Sequence, residues 1–87
     1  MSYETSFRPR ADRDLRALPR DLQKRVAAAL TALAEDPRSP DTKALQGQLR
    51  GLRRARVGDY RIVYFIRKQV VQVEIVRVAH RREVYRH

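Results

Sequence analysis

The sequence predicts an α+β fold in a single domain over residues 1–87, with the order β-α-α-β-β-β and a helical hairpin packed on one face of a mainly antiparallel sheet. Three observations predict it. Apolar residues between Ala11 and Leu33 recur at helical spacing, whereas from Leu49 onward they alternate with a period of two. Turn signals at Gly58-Asp59 and Lys68-Gln69 divide that second half into three strands. A chain of 87 residues can bury one core and no more.

The elements follow in order. Tyr3, Thr5 and Phe7 alternate with Glu4 and Ser6, a short strand that ends at Arg8-Pro9 because proline cannot continue a central ladder. Ala11, Leu15 and Leu18 form one helical stripe. Pro19 breaks the chain and suits the first turn of a second helix, where Asp21 places a negative charge at the positive helix end. Leu22, Val26, Leu30 and Leu33 form the second stripe among alanines, which favour helix, and Glu35-Asp36-Pro37 stops it. Arg38 to Gln48, with Pro40 and Gly47, reads as a polar connector with one helical turn around Thr42 to Leu45. The three strands are then Leu49–Val57, Tyr60–Arg67 and Val70–Ala79, followed by a basic tail from His80 to His87.

A two-residue loop at Gly58-Asp59 pairs Val57 with Tyr60, sets Arg56 opposite Arg61, and puts Arg54, Arg56 and Arg61 on one face. A two-residue loop at Lys68-Gln69 pairs Arg67 with Val70, and so sets Ile66, Tyr64 and Ile62 opposite Val71, Val73 and Ile75. That apolar face belongs under the helices, and Phe65, Glu74, Val76 and Val78 fall on the arginine face. Two directly opposed arginines cost up to about 1 kcal/mol unless an anion lies between them. Three beside Phe65 and the tail point to a phosphate site, and Phe65 can stack on a base.

Charge supports that reading. Lys plus Arg is 20 against 10 acids, a net +10; only Lys24, Lys43 and Lys68 are lysine and the other 17 are arginine. Guanidinium is always charged and matches phosphate in a bidentate fork, so an anionic partner is implied. There is no cysteine. Asp59, Glu74 and Glu83 are scattered, and His80 and His87 lie seven apart, so no metal or other cofactor is expected. The chain has no apolar run near the roughly 18 residues that span a bilayer, and its start lacks a signal-peptide layout. A soluble, cytoplasmic protein without membrane contact is expected.

The segment from Leu52 to Tyr64, with its Arg54-Ala55-Arg56 and Gly58-Asp59-Tyr60-Arg61, resembles the signature hairpin of RelE/ParE-superfamily toxins. Val78 to Tyr85, with His80-Arg81-Arg82, resembles their closing motif. Ala11, Asp14, Leu15, Leu18 and Asp36-Pro37 fit as well, so the likeness spans nearly the whole chain. The resemblance implies a toxin of a type II toxin–antitoxin module, held in a hetero-oligomeric complex by a small, acidic antitoxin. For the RelE-like branch it implies an endoribonuclease, an mRNA interferase that cuts messenger RNA in the ribosomal A site and so inhibits translation. By resemblance, Arg61 contacts the scissile phosphate, Arg54 and Arg56 replace paired basic residues that are often lysines, Arg81 stabilises the leaving group and Tyr85 is the general base.

Such cleavage uses the substrate's own 2′-hydroxyl and needs a base, a countercharge for the phosphorane and support for the leaving oxygen. His80 is a rival or accessory base, because imidazole exchanges protons near neutral pH and strand parity with Val76 and Val78 points it into the arginine face. The alternative on the same fold is a ParE-like inhibitor of DNA gyrase that cuts nothing. A plain RNA-binding domain is a third reading, which gives no reason for the tail motif.

Overall fold

In a computed structural model, residues 2–84 are described. The order is β1 (Glu4–Phe7), α1 (Pro9–Arg16), α2 (Arg20–Glu35), β2 (Thr42–Ala44), β3 (Arg53–Val57), β4 (Tyr60–Arg67), β5 (Gln72–His80) and α3 (Arg81–Val84). The five strands form one sheet in the order β1-β5-β4-β3-β2, antiparallel except where β1 runs parallel to β5.

Pro9 opens α1, where its fixed φ suits the first turn and no intrahelical donor is lost. The apolar stripes of α1 and α2 converge on the same sheet face. Ala11, Val26 and Leu33 are buried there with Ile62, Tyr64, Val73, Ile75 and Val78, and Leu15, Leu18, Leu22 and Leu30 pack at the margin. Tyr64 is fully buried, and its hydroxyl donates to the carbonyl of Pro37 at 2.7 Å, which leaves no orphaned polar atom on that side chain.

The β3–β4 hairpin has the expected register, with Val57 opposite Tyr60 and Arg56 opposite Arg61. Gly58, at φ 59°, supplies the left-handed residue this tight loop requires. The β4–β5 hairpin differs. Its loop is Lys68–Val71, not Lys68-Gln69, so Arg67 pairs with Gln72 and Tyr64 with Ile75. The loop closes with Val71 at φ 50°, a strained place for a β-branched side chain. Lys68-Gln69-Val70-Val71 contains no glycine or asparagine to mark that position, so nothing local in the sequence signals the longer loop.

A second departure is a bulge in β5. Tyr64 pairs with Ile75 but Val63 with Arg77, which leaves Val76 as the extra residue. Every β5 side chain after it changes face relative to strict alternation. Val78 therefore lies in the helix-side core, not on the arginine face. β1 pairs with β5 only as far as Ile75. Beyond it Asp14 of α1 takes over the strand edge: its Oδ2 accepts from the Val78 amide at 3.0 Å and from Arg77 Nε at 2.8 Å.

The connector also corrects the sequence expectation. Thr42–Ala44 is a strand paired with β3, not a helical turn, and β3 begins at Arg53, not Leu49. Gly47 and Gly51, both at positive φ, turn residues 45–52 back over the sheet. Leu45, Leu49 and Leu52 pack there on Val63, Ala79 and Val76 as a second, smaller core. The face read as arginine-lined is thus half apolar and covered.

Candidate functional site

The hairpin register puts Arg54, Arg56, Arg61 and Val63 on the side of the sheet away from the helices. The second core covers Val63, so the arginines lie toward the Gly58-Asp59 end of this face. Arg56 is exposed and Arg54 half-buried. Arg61 is only 6% exposed, which for a permanent cation demands compensation. The compensation is partial. Its Nη1 donates to the carbonyls of Gly58 at 3.2 Å and Tyr60 at 3.1 Å, while its Nε is buried with no acceptor. Among the described residues no carboxylate pairs with Arg54, Arg56 or Arg61. A buried guanidinium facing a second one, both lacking a countercharge, is an arrangement that a bound anion completes.

The tail is tied to this end. The Arg81 amide donates to the Asp59 carbonyl at 2.8 Å, and Arg77 Nη2 lies 3.9 Å from Glu83 Oε2. Arg81 thus starts α3 beside the hairpin turn with an exposed side chain. Tyr85 lies outside the described residues.

His80 is not on the arginine face. The β5 bulge reverses its parity and pairs it with Tyr60, the two rings edge to face at 5.5 Å. Its Nδ1 accepts from the Arg82 amide at 3.3 Å, so the imidazole supports the first turn of α3. Phe65 shares the face of Arg61 but stands four residues along β4, about 13 Å away by strand rise. The structure does not bring it to the arginines. Arg67 lies 5.6 Å from its ring centre instead.

Acid and base are unevenly distributed on this face. At the Phe65 end, Glu74 contacts Arg67 at 3.0 Å and Arg8 at 3.4 Å. Burial alone would raise its carboxyl, but the hydrogen bonds and charge of Arg8 and Arg67 outweigh burial and hold it below the ordinary value. The cations of that end are therefore partly neutralised, and those of the turn end are not.

One cation escaped the sequence reading. Arg25 of α2 reaches over the hairpin turn, and its Nη2 lies 3.1 Å from where a Cβ on Gly58 would be. Helical period places Arg25 at the margin of its stripe, and only tertiary packing brings it to the turn. Among the described residues no three His, Cys, Asp or Glu side chains group as metal ligands. The arrangement is suited to binding a phosphodiester and stabilising added negative charge on it.

Residues 6–85 match the family model described as the ParE toxin of the type II toxin–antitoxin system parDE. The chain is similar to Toxin RelE of Mycobacterium tuberculosis, 38% identical over 97% of this chain and 87% of that protein. It is similar to Toxin RelG of the same organism, 39% identical over 99% of both chains. Among solved structures, the toxin–antitoxin complex RelBE2 of Mycobacterium tuberculosis contains a chain that superposes with a TM-score of 0.83 at 34% identity, covering 92% of this chain and 99% of that one.

Proposed function

The chain belongs to the RelE/ParE family of type II toxin–antitoxin toxins and is RelE-like, and from that premise we propose that it is an endoribonuclease that cleaves messenger RNA in the ribosomal A site. The observation that carries this reading is the Arg56–Arg61 pair, opposed across β3 and β4 with no carboxylate among the described residues paired with either. A solvated basic face would leave Arg61 in water, yet this side chain is buried.

The chemistry is attack by the 2′-hydroxyl on the adjacent phosphorus. The O2′–P bond forms, the P–O5′ bond breaks, and the products are a 2′,3′-cyclic phosphate and a 5′-hydroxyl. Tyr85, as phenolate, takes the 2′ proton. Arg61 and Arg56 neutralise the phosphorane, and Arg54 holds the phosphate. Arg81 stabilises the departing O5′ by charge, and that oxygen takes its proton from water, because guanidinium is a poor acid. His80 is an accessory residue that fixes α3, and Phe65 contacts RNA away from the scissile bond. The partner that restrains this activity is a small, acidic antitoxin in a hetero-oligomeric complex. The solved RelBE2 relative is such a toxin–antitoxin complex, and a chain of net charge +10 suits an acidic cover. The site of action is the cytoplasm.

The ParE description of the matching family model favours a second reading, inhibition of DNA gyrase; the names of the RelE and RelG relatives favour the first. Induction of the protein, with mapping of messenger RNA 5′ ends and a parallel gyrase supercoiling assay, decides between them. Codon-phased cuts that vanish with Tyr85→Phe support the nuclease. Loss of supercoiling with intact RNA supports the inhibitor and overturns the nuclease.

A further inference from the structure

Among the described residues a second guanidinium also has a buried nitrogen that lacks an acceptor, that of Arg53 at the opposite end of β3. Arg53 Nη2 donates to Thr42 Oγ1 at 2.9 Å, and that hydroxyl donates in turn to the Ser39 carbonyl at 2.8 Å. Both acceptors are neutral, so the charge of Arg53 is not offset. Among the described residues no carboxylate forms an ion pair with Arg53 or with nearby Arg38. The two arginines line a recess of about 340 Å³ together with Gly51, Leu52 and Phe65. The space beside Gly51 is open.

The recess is built, not incidental. The Tyr64 hydroxyl holds the Pro37 carbonyl at 2.7 Å and so positions Arg38, its neighbour in the chain. Thr42 fixes the guanidinium of Arg53. Two cations beside an aromatic ring and an aliphatic wall fit a nucleotide, with phosphate on the arginines and base against the ring. The volume is at the lower end of the range for small-molecule sites. Leu52 and Phe65 belong to Arg61's side of the sheet, whereas Arg53, opposite Tyr64, and Ile66 belong to the helix side, so the recess crosses the sheet where β4 runs on past the start of β3. The four remaining residues of β3, Arg54 to Val57, separate it from the hairpin turn, about 13 Å along the strand.

We infer that this recess is a second anion-binding subsite, which takes the phosphate and base of a nucleotide on the same RNA strand, a few positions from the cleaved bond. The inference rests on the ribonuclease reading. An acidic side chain of a protein partner is the competing occupant, but it would leave the Phe65 ring uncovered.

The test uses the full chain and single-stranded RNA of three and of eight nucleotides, with a 2′-deoxy nucleotide at the cleavage position to block attack. For the unaltered protein the longer RNA is expected to bind about tenfold more tightly or better, from the added phosphate and stacking contacts. Arg38→Gln and Arg53→Gln should each lose most of that gain, while their affinity for the short RNA is unchanged. Arg38 is exposed, so its variant keeps the test valid if Arg53→Gln disturbs folding. If Arg38→Gln retains the full gain, or if length brings no gain, the subsite is overturned and the ribonuclease reading stands. If Arg38→Gln loses affinity only for an acidic antitoxin, the occupant is protein and the inference is wrong. If the unaltered protein binds neither RNA, the subsite is overturned, while the ribonuclease reading, which places its substrate in the ribosome, is decided separately by the mapping of messenger RNA 5′ ends.

Discussion

Arg61 illustrates a cost accepted at a single residue. A guanidinium that is 6% exposed, held by two backbone carbonyls and no carboxylate, is poorly compensated for the hydration it gave up. If the residue were structural, removing it would unfasten the hairpin turn. If it is held ready for an anion, removing it relieves the fold. Arg61→Met, close in length and without charge, should therefore leave the urea midpoint unchanged or raise it. RNA cleavage should fall by about 10²–10³, the usual loss for one preorganised donor to a transition-state anion. A clear drop in stability with cleavage intact would show the residue to be scaffold. Glu74 shows the opposite case at the same scale. Its carboxyl is held below the usual value by Arg8 and Arg67, against the effect of burial. A lowered folded value means that its stabilisation is present above the unfolded value of about 4.3 and is lost as pH falls through the folded one. Glu74→Gln should flatten that acid limb of the stability curve while changing little at pH 7 beyond loss of the ion pairs. An unchanged acid limb would show that the two arginines do not hold the carboxylate in solution.

At the scale of elements, the far half of β5 depends on a helix side chain where a strand is missing. Asp14 accepts both the Val78 amide and Arg77 Nε. Asp14→Ala would leave a strand amide and a half-buried guanidinium without their partner, at a cost of about 1–3 kcal/mol. Urea denaturation measures it, and a loss below a few tenths would mean that water replaces the carboxylate. The strained Val71 gives the converse prediction. Val71→Asn, better suited to left-handed backbone at φ 50°, should raise stability by up to about 1 kcal/mol. These two places also mark where the sequence stopped being legible. The β3–β4 hairpin and its arginine pair could be read because Gly58 announces its own turn and strict alternation follows. The β4–β5 loop could not, because a valine holds the position where glycine would have marked it. The bulge at Val76 lies where β1 ends and Asp14 takes over the edge of β5, a tertiary setting with no local signature, and it alone moved His80 and Val78 to the other face. β2 is three residues long and exists only because β3 lies beside it. The arginines of the candidate site were thus legible by residue type and parity. Arg25 and the recess at Arg53 were not, because separate elements assemble them.

At the scale of the molecule, net charge and local charge have different consequences. A total of +10 attracts any polyanion and speeds encounter with it. That attraction alone makes no distinction among seventeen arginines. The ion pairs do make one. Arg8, Arg10, Arg16, Arg67 and Arg77 have carboxylate partners, whereas Arg54, Arg56 and Arg61 at the hairpin end have none among the described residues. A phosphate bound at that end releases its counterion to solvent and meets a cation with no competing acid, so the affinity should be concentrated there. The salt dependence of single-stranded RNA binding reads this directly, with a slope of about −0.7 for each phosphate neutralised. Arg56→Gln should reduce the magnitude of the slope by about one such step, because one localised contact is removed. Arg16→Gln removes the same formal charge from α1 on the other side of the sheet, where Asp12 already pairs it at 3.1 Å, and should leave the slope unchanged. Equal effects from the two variants would mean that RNA is held by the diffuse field of the whole surface, and the opposed arginines would then lose their claim to be a site.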